Sequence, residues 1–266
     1  MTRSLRSLVG AHYLRLPRRF LASLRPLALF QVKRPATDRR RGLSPLVSCF
    51  YMPGNSSIAA AVLAGGLARR MGGVNKAGLR IGAERIVERQ LRRLRVVADP
   101  VFIVSNRSKD FSDLGVEVVP DAIAGAGPLG GIYTALLASA RERTLIVGCD
   151  LPFLTLPLLE RLAAPSTAEL VIPRSAQGYE PLCATWAAAC AGVLRRRIEA
   201  GTLKAALAVE ELRVEEIGAE FLSSCDPHGL LFVNINTPHD YERAQRLSRV
   251  ESKSWRDRIM DVSEHS

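Results

Sequence analysis

The sequence has no C-x-x-C pair and no cluster of histidines. Five cysteines (Cys49, Cys149, Cys183, Cys190 and Cys225) and four histidines (His12, His228, His239 and His265) are scattered over 266 residues. That spacing excludes a structural zinc site, and an odd set of isolated thiols fits a reducing compartment better than a disulfide framework. The cytoplasm is therefore the expected location. Long hydrophobic runs are also missing: stretches such as Ile58 to Ala64 stop at glycine pairs or charges, far short of the ~18 to 20 residues that cross a bilayer. No spanning helix and no membrane partner are expected. Aromatics are only 6% of the chain and Gly plus Pro number 20 and 15, which argues against base-stacking surfaces and against low-complexity disorder.

What is abundant is positive charge, but it sits in one place. Residues 1–51 carry eleven Lys/Arg and one acid, Asp38, whereas residues 52–266 carry 26 basic and 25 acidic residues. A neutral body with few aromatics speaks against a nucleic-acid partner despite the formal net charge of +11. The basic leader, with Arg18-Arg19, Arg39 to Arg41 and with Pro17, Pro26 and Pro35 breaking its short apolar pieces, shows no helical or strand period and reads as disorder. Three readings of it stay open: a start extended upstream of Met52, a transit peptide, or a basic arm.

From Ser57 onward short apolar runs alternate with amphipathic stretches, the pattern of an α/β domain with a mostly parallel sheet. Strands are expected at Ile58–Ala64, Val101–Val104, Val116–Val119, Thr144–Val147, Leu170–Ile172 and Leu231–Val233. Helices are expected at Glu84–Val97, Ile132–Ala140, Leu156–Ala163, Ala187–Glu199 and Tyr241–Val250. In the first helix Ile86, Val87, Leu91 and Leu94 form one face, and Glu88 stands four residues before Arg92 as an ion pair would require. The division expected is a leader over 1–51, one domain over 52–250 and a polar tail over 251–266. Ligands of such folds bind at the carboxyl ends of the strands.

The first strand runs into Leu63-Ala64-Gly65-Gly66-Leu67-Ala68-Arg69-Arg70-Met71-Gly72-Gly73-Val74-Asn75-Lys76. Four glycines let backbone N–H groups approach an anion, and Arg70 and Lys76 add fixed charge, so the segment reads as a phosphate-binding loop. It is not a Walker A loop, because Asn75 precedes Lys76 and Ala77 follows it. Gly125-Ala126-Gly127-Pro128-Leu129-Gly130 matches G-x-G-x-x-G, with Asp150 twenty residues on. Five residues separate it from the preceding strand and Pro128 stiffens it, so a dinucleotide fingerprint is not the favoured reading. Asp150 closes the run Thr144 to Cys149 and precedes Leu151-Pro152; a lone carboxylate there, facing a polyphosphate, suits Mg²⁺. Pro152, and Thr155 as the better-placed cap, argue against Asp150 as a helix N-cap.

Four ordered blocks then carry a resemblance. Leu63-Ala64-Gly65-Gly66 with Arg70-Met71-Gly72 and Lys76, Pro120-Asp121 with Gly127-Pro128-Leu129 and Gly131-Ile132, Cys149-Asp150-Leu151-Pro152, and Asn234-Ile235-Asn236-Thr237-Pro238 make residues 57–246 resemble the bacterial molybdenum cofactor guanylyltransferases. The resemblance implies a three-layer Rossmann-like nucleotidyltransferase fold and transfer of GMP from Mg·GTP to molybdopterin-bound molybdenum, with pyrophosphate leaving. It implies that Leu63, Ala64, Gly65, Gly66, Lys76, Asp121, Pro128, Leu129 and Asp150 meet GTP. It further implies that Arg70 and Lys76 stabilise the triphosphate, that Asp150 carries Mg²⁺, and that Asn234 and Asn236 face the pterin.

Alternation along a strand would put both asparagines on one side; a pair of turn-forming asparagines before Thr237-Pro238 is the other reading. Gln177-Gly178-Tyr179-Glu180-Pro181-Leu182 resembles the family's substrate loop more weakly. Asn75 departs from the Asp that many members have. Leu63 to Gly66 and Pro128-Leu129 look like the guanine-selective version. The rival readings are a cytidylyl- or sugar-nucleotidyltransferase on the same scaffold and, from another class, a basic nucleic-acid-binding protein. Transient contact with proteins that deliver or accept the cofactor is also expected.

Overall fold

Three consecutive alanines in the first strand, Ala59-Ala60-Ala61, are fully buried, and their small size lets helices approach that strand from both sides. The structure, a computed structural model, describes residues 57–65 and 78–248. In chain order these form β1 (Ile58–Leu63), β2 (Arg80–Ile81), β3 (Glu84–Arg85), α1 (Ile86–Val97), β4 (Val101–Val104), β5 (Val118–Val119), α2 (Gly127–Ala138) and β6 (Arg143–Gly148). There follow α3 (Leu156–Ala163), β7 (Leu170–Ser175), β8 (Gly178–Tyr179), β9 (Cys183–Ala187), α4 (Ala191–Glu199), β10 (Val214–Ile217) and α5 (Ala219–Cys225). A last helix, α6, covers residues 238–248.

The main sheet has the order β10-β7-β9-β6-β1-β4-β5, with β8 paired to β7. β1 lies parallel to β4 and β6, β4 parallel to β5 and β10 parallel to β7, while β9 runs antiparallel between β6 and β7. Alternate β1 residues serve opposite layers. Ile58, Ala60 and Val62 pack with Val87, Leu91 and Leu94 of α1 and with Leu158 and Leu162 of α3. Ala59, Ala61 and Leu63 pack with Leu129, Ile132 and Leu136 of α2 and Leu194 of α4. Helices on both faces of a mostly parallel sheet give the expected three-layer α/β architecture.

Several local expectations needed correction. Leu231–Val233 is not a strand: the Asp226 carboxylate accepts the N–H groups of Leu230 and Leu231, each at 2.8 Å, and Val233 N–H donates to Leu230 O at 3.0 Å. Turns thus consume the backbone groups a ladder needs, although Leu231 is still core. β9 and β10 were not anticipated, and the helix expected from Ala187 begins at Ala191, after a 3₁₀ turn over Ala188–Cys190.

α2 starts at Gly127, five residues earlier than expected. Gly127 adopts φ +59° and Pro128 occupies the first turn, where the missing N–H costs nothing. Glu88 does not pair with Arg92; standing in the first turn of α1, it reaches back to Arg85, while Arg92 pairs with Glu84 at 3.0 Å. Thr155 does hold the N-cap position of α3, but its hydroxyl makes no capping bond.

Candidate active site at the carboxyl ends of the parallel strands

The ends of β1, β4, β5 and β6 lie side by side, stitched by backbone bonds. Ala64 N–H donates to Val104 O at 3.0 Å, Ser105 N–H to Val119 O at 2.9 Å and Cys149 N–H to Leu63 O at 3.1 Å. Leu63 and Ala64 are buried and Gly65 is exposed. The Leu63 side chain turns into the core, where a Cβ on Gly131 would stand 3.1 Å from its Cδ1. Gly131 therefore keeps α2 close to β1, and Gly65 is the accessible member of this trio.

Asp121, beyond β5, comes next to that loop: its Oδ2 is 3.9 Å from where a Gly65 Cβ would stand. Its orientation is held by Asn106 in a reciprocal pair, with Asn106 Nδ2 donating to Asp121 Oδ2 at 2.8 Å and Asp121 N–H to Asn106 Oδ1 at 2.9 Å. The following turn is anchored by buried Thr134, whose hydroxyl accepts Ala122 N–H at 3.0 Å. Asn106 was not anticipated. Its signal is present in the sequence, an asparagine two residues past the strand Val101–Val104 at the edge where ligands bind. Pro128 is exposed in the first turn of α2, whereas the Leu129 side chain is fully buried. Only the backbone of Leu129, in a turn whose N–H groups have no intrahelical acceptor, can face a ligand.

Asp150 follows β6. From Thr144 to Leu154 every residue is buried except Asp150, which is partly exposed. The fold therefore presents one carboxylate to solvent from an otherwise interior run. Gly148 crowds it: a Cβ there would lie 2.8 Å from Asp150 Oδ1 and 3.4 Å from Leu182 Cβ. The Asp150 backbone carbonyl accepts Ile235 N–H at 3.1 Å, which draws Asn234-Ile235-Asn236 against the strand end. The segment lies outside the sheet. Ile235 is fully buried and both asparagines are exposed, although the segment is not the strand on which their alternation was expected. Thr237 and Asp240 cap α6 reciprocally, with the Asp240 carboxylate accepting the N–H groups of Asn236 and Thr237 at 3.0 and 2.8 Å.

Beside Asp150 opens a cavity of about 730 Å³ whose lining includes Arg174, Gln177, Tyr179, Glu180, Asn234 and Arg243. It joins the Gln177 to Leu182 loop to the first of the two asparagines; Asn236 is not part of the lining. Burial pushes the Glu180 carboxyl above its ordinary range, the Ser175 hydroxyl donating to it at 2.7 Å works downward, and the Asp150 charge adds to the rise. Among the described residues no group of three or more His, Cys, Asp or Glu could hold a metal ion. Gly66, Arg70, Asn75 and Lys76 lie outside the described residues. No described helix is long and apolar enough to cross a membrane.

Residues 60–216 match the family profile of the MobA-like NTP transferase domain. The chain is 34% identical over 188 residues to a probable molybdenum cofactor guanylyltransferase of Pelotomaculum thermopropionicum, covering 70% of this chain and 91% of that one. It is 31% identical over 186 residues to the molybdenum cofactor guanylyltransferase of Desulfosudis oleivorans, covering 69% and 92%. The crystal structure of molybdopterin-guanine dinucleotide biosynthesis protein A from Archaeoglobus fulgidus superposes with a TM-score of 0.60 at 29% identity, covering 71% of this chain and 97% of that one. By the family profile over residues 60–216 and these relatives, the chain belongs to the MobA-like NTP transferases, a family of nucleotidyltransferases.

Proposed function

We propose that the protein transfers GMP from GTP to the molybdopterin-bound molybdenum cofactor and releases pyrophosphate. The observation that carries this reading is Asp150, the single partly exposed residue of a buried run, placed between the Gly65–Asp121 edge and the 730 Å³ cavity. The names of the relatives support the choice of guanine and of the pterin acceptor.

In this reading the nucleotide lies over Gly65 and the first turn of α2, and Asp121, fixed by Asn106, accepts hydrogen bonds from the nucleoside. Arg70 and Lys76 are assigned to the triphosphate, with Gly66 offering backbone N–H. The acceptor occupies the cavity beside Asn234, with Asn236 on the same exposed side of the segment. Its phosphate oxygen attacks the α-phosphorus, a P–O bond forms, and the bond to the bridging oxygen breaks with its electrons leaving on pyrophosphate. A phosphate monoester with a second pKa of about 6 is already mostly dianionic at neutral pH, so no protein base is needed. Positioning and charge stabilisation supply the rate.

Asp150 offers a hard carboxylate oxygen at the strand end that fits Mg²⁺, which takes one or two carboxylates and fills its shell with phosphate oxygens and water. Bound there, Mg²⁺ would neutralise triphosphate charge. Asp150 would hold it and Glu180 would add negative potential from the acceptor side. We place the reaction in the cytoplasm, with transient contacts to proteins that deliver or take up the cofactor.

Thermal shift with Mg·GTP and Mg·CTP tests the assignment. At a hundred times the Kd, binding adds about 2.7 kcal/mol, which raises the Tm of a domain this size by about 5–10 °C. GTP should do this and CTP should do much less; equal shifts would remove the guanine assignment.

A further inference from the structure

Five of the six residues on the buried face of α1 are aliphatic: Ile86, Val87, Leu91, Leu94 and Val97. The sixth is Gln90, only 3% exposed. An amide in such surroundings is costly unless it is hydrogen-bonded. Gln90 Nε2 donates twice, to Gly148 O at 2.8 Å and to Leu151 O at 3.0 Å. These carbonyls bracket the turn on which Asp150 stands, and the same turn is closed on its own by one long bond, Leu151 N–H to Gly148 O at 3.3 Å. Gln90 Oε1 has no partner among the described residues. The side chain thus acts purely as a double donor and leaves a buried acceptor unsatisfied to do so. A leucine would bury the same helix face without that penalty.

We propose that Gln90 is a positioning residue for Asp150, fixing the backbone on both sides of the carboxylate so that it is aimed before the metal and triphosphate arrive. Helix α1 packs on β1 and β4 in the core, so the clamp refers the direction of Asp150 to interior strands of the sheet. The inference rests on the assignment of Asp150 to the metal-bound triphosphate.

The test measures Mn²⁺ binding by electron paramagnetic resonance with GTP present and no acceptor, at 10 °C, for the full chain and for Gln90→Met, Gln90→Leu and Asp150→Asn. Transfer kinetics for the same variants supply the second readout. Met keeps the length and burial of Gln but cannot donate, and Leu provides a second apolar replacement should Met pack badly. The expected result is about tenfold weaker Mn²⁺ binding in both Gln90 variants, with kcat falling and the acceptor KM within twofold of the parent. A merely structural Gln90 would lower Tm and leave Mn²⁺ affinity and kcat unchanged, and that result overturns the inference. Normal Mn²⁺ binding in Asp150→Asn would instead overturn the role given to Asp150. Weakened binding in Asp150→Asn with normal binding in the Gln90 variants rejects Gln90 alone.

Discussion

Gly148→Ala adds one methyl group directly against the Asp150 carboxylate. The new Cβ would stand 2.8 Å from Asp150 Oδ1, with Leu182 Cβ at 3.4 Å and Leu182 Cδ1 at 3.7 Å closing the other side. Gly148 ends β6 without a positive φ, so alanine meets no backbone penalty and the strain falls on the carboxylate. Relief requires the oxygen to retreat by roughly half an ångström or the side chain to leave its rotamer, at a cost of about 0.5–1.5 kcal/mol. For a domain of this size that lowers Tm by only about 1–6 °C. Activity should suffer far more, because a misplacement on the order of 1 Å at a reacting centre costs about 10²-fold in rate. Differential scanning calorimetry together with initial rates of pyrophosphate release reads both effects. A variant with parental kcat would show that the carboxylate is not confined as described. One that loses its cooperative transition would show that Gly148 serves the sheet and not the site.

Two further outcomes are expected. A chain beginning at Met52 should bind Mg·GTP and transfer GMP as the full chain does, since the first described strand starts at Ile58, and should elute earlier from a polyanion column; a large fall in turnover at moderate salt would show that the basic leader reaches the site. Hydrogen bonds from the Ser166 hydroxyl and the Arg161 guanidinium hold the Glu215 carboxyl below its ordinary range, so its stabilisation is present above the unfolded pKa of about 4.3 and fades as pH falls through the lower folded value. Glu215→Gln should flatten the acid decline of Tm below about pH 5, and an unchanged slope would refute the pairing.

The linear sequence by itself determined the three-layer α/β architecture, because burial on two faces writes alternating apolar runs and amphipathic helices into the chain. It also marked Gly65 and Asp150, each of which closes an apolar run read as a strand, whereas Asp121 stood out only through the resemblance. Tertiary structure alone decided the orientation of these groups. Asn106 meets Asp121 across 15 residues, and Gln90 meets Gly148 and Leu151 across 58 and 61. No local period reports such bonds. Gln90 falls on the buried face between Val87 and Leu94, so spacing could flag its burial but not its two acceptors.

β9 eluded the reading because Cys183-Ala184-Thr185-Trp186, although buried like β1 and β6, lacks the run of Val, Ile and Leu that marks a buried strand. Its antiparallel insertion between β6 and β7 depends on partners elsewhere in the chain. Leu231–Val233 misled in the opposite sense: apolar character records burial, while strand formation depends on where the N–H groups go, and Asp226 captures two of them. Hydrophobic pattern is set residue by residue along the chain, whereas hydrogen-bond direction is set only when distant segments have met.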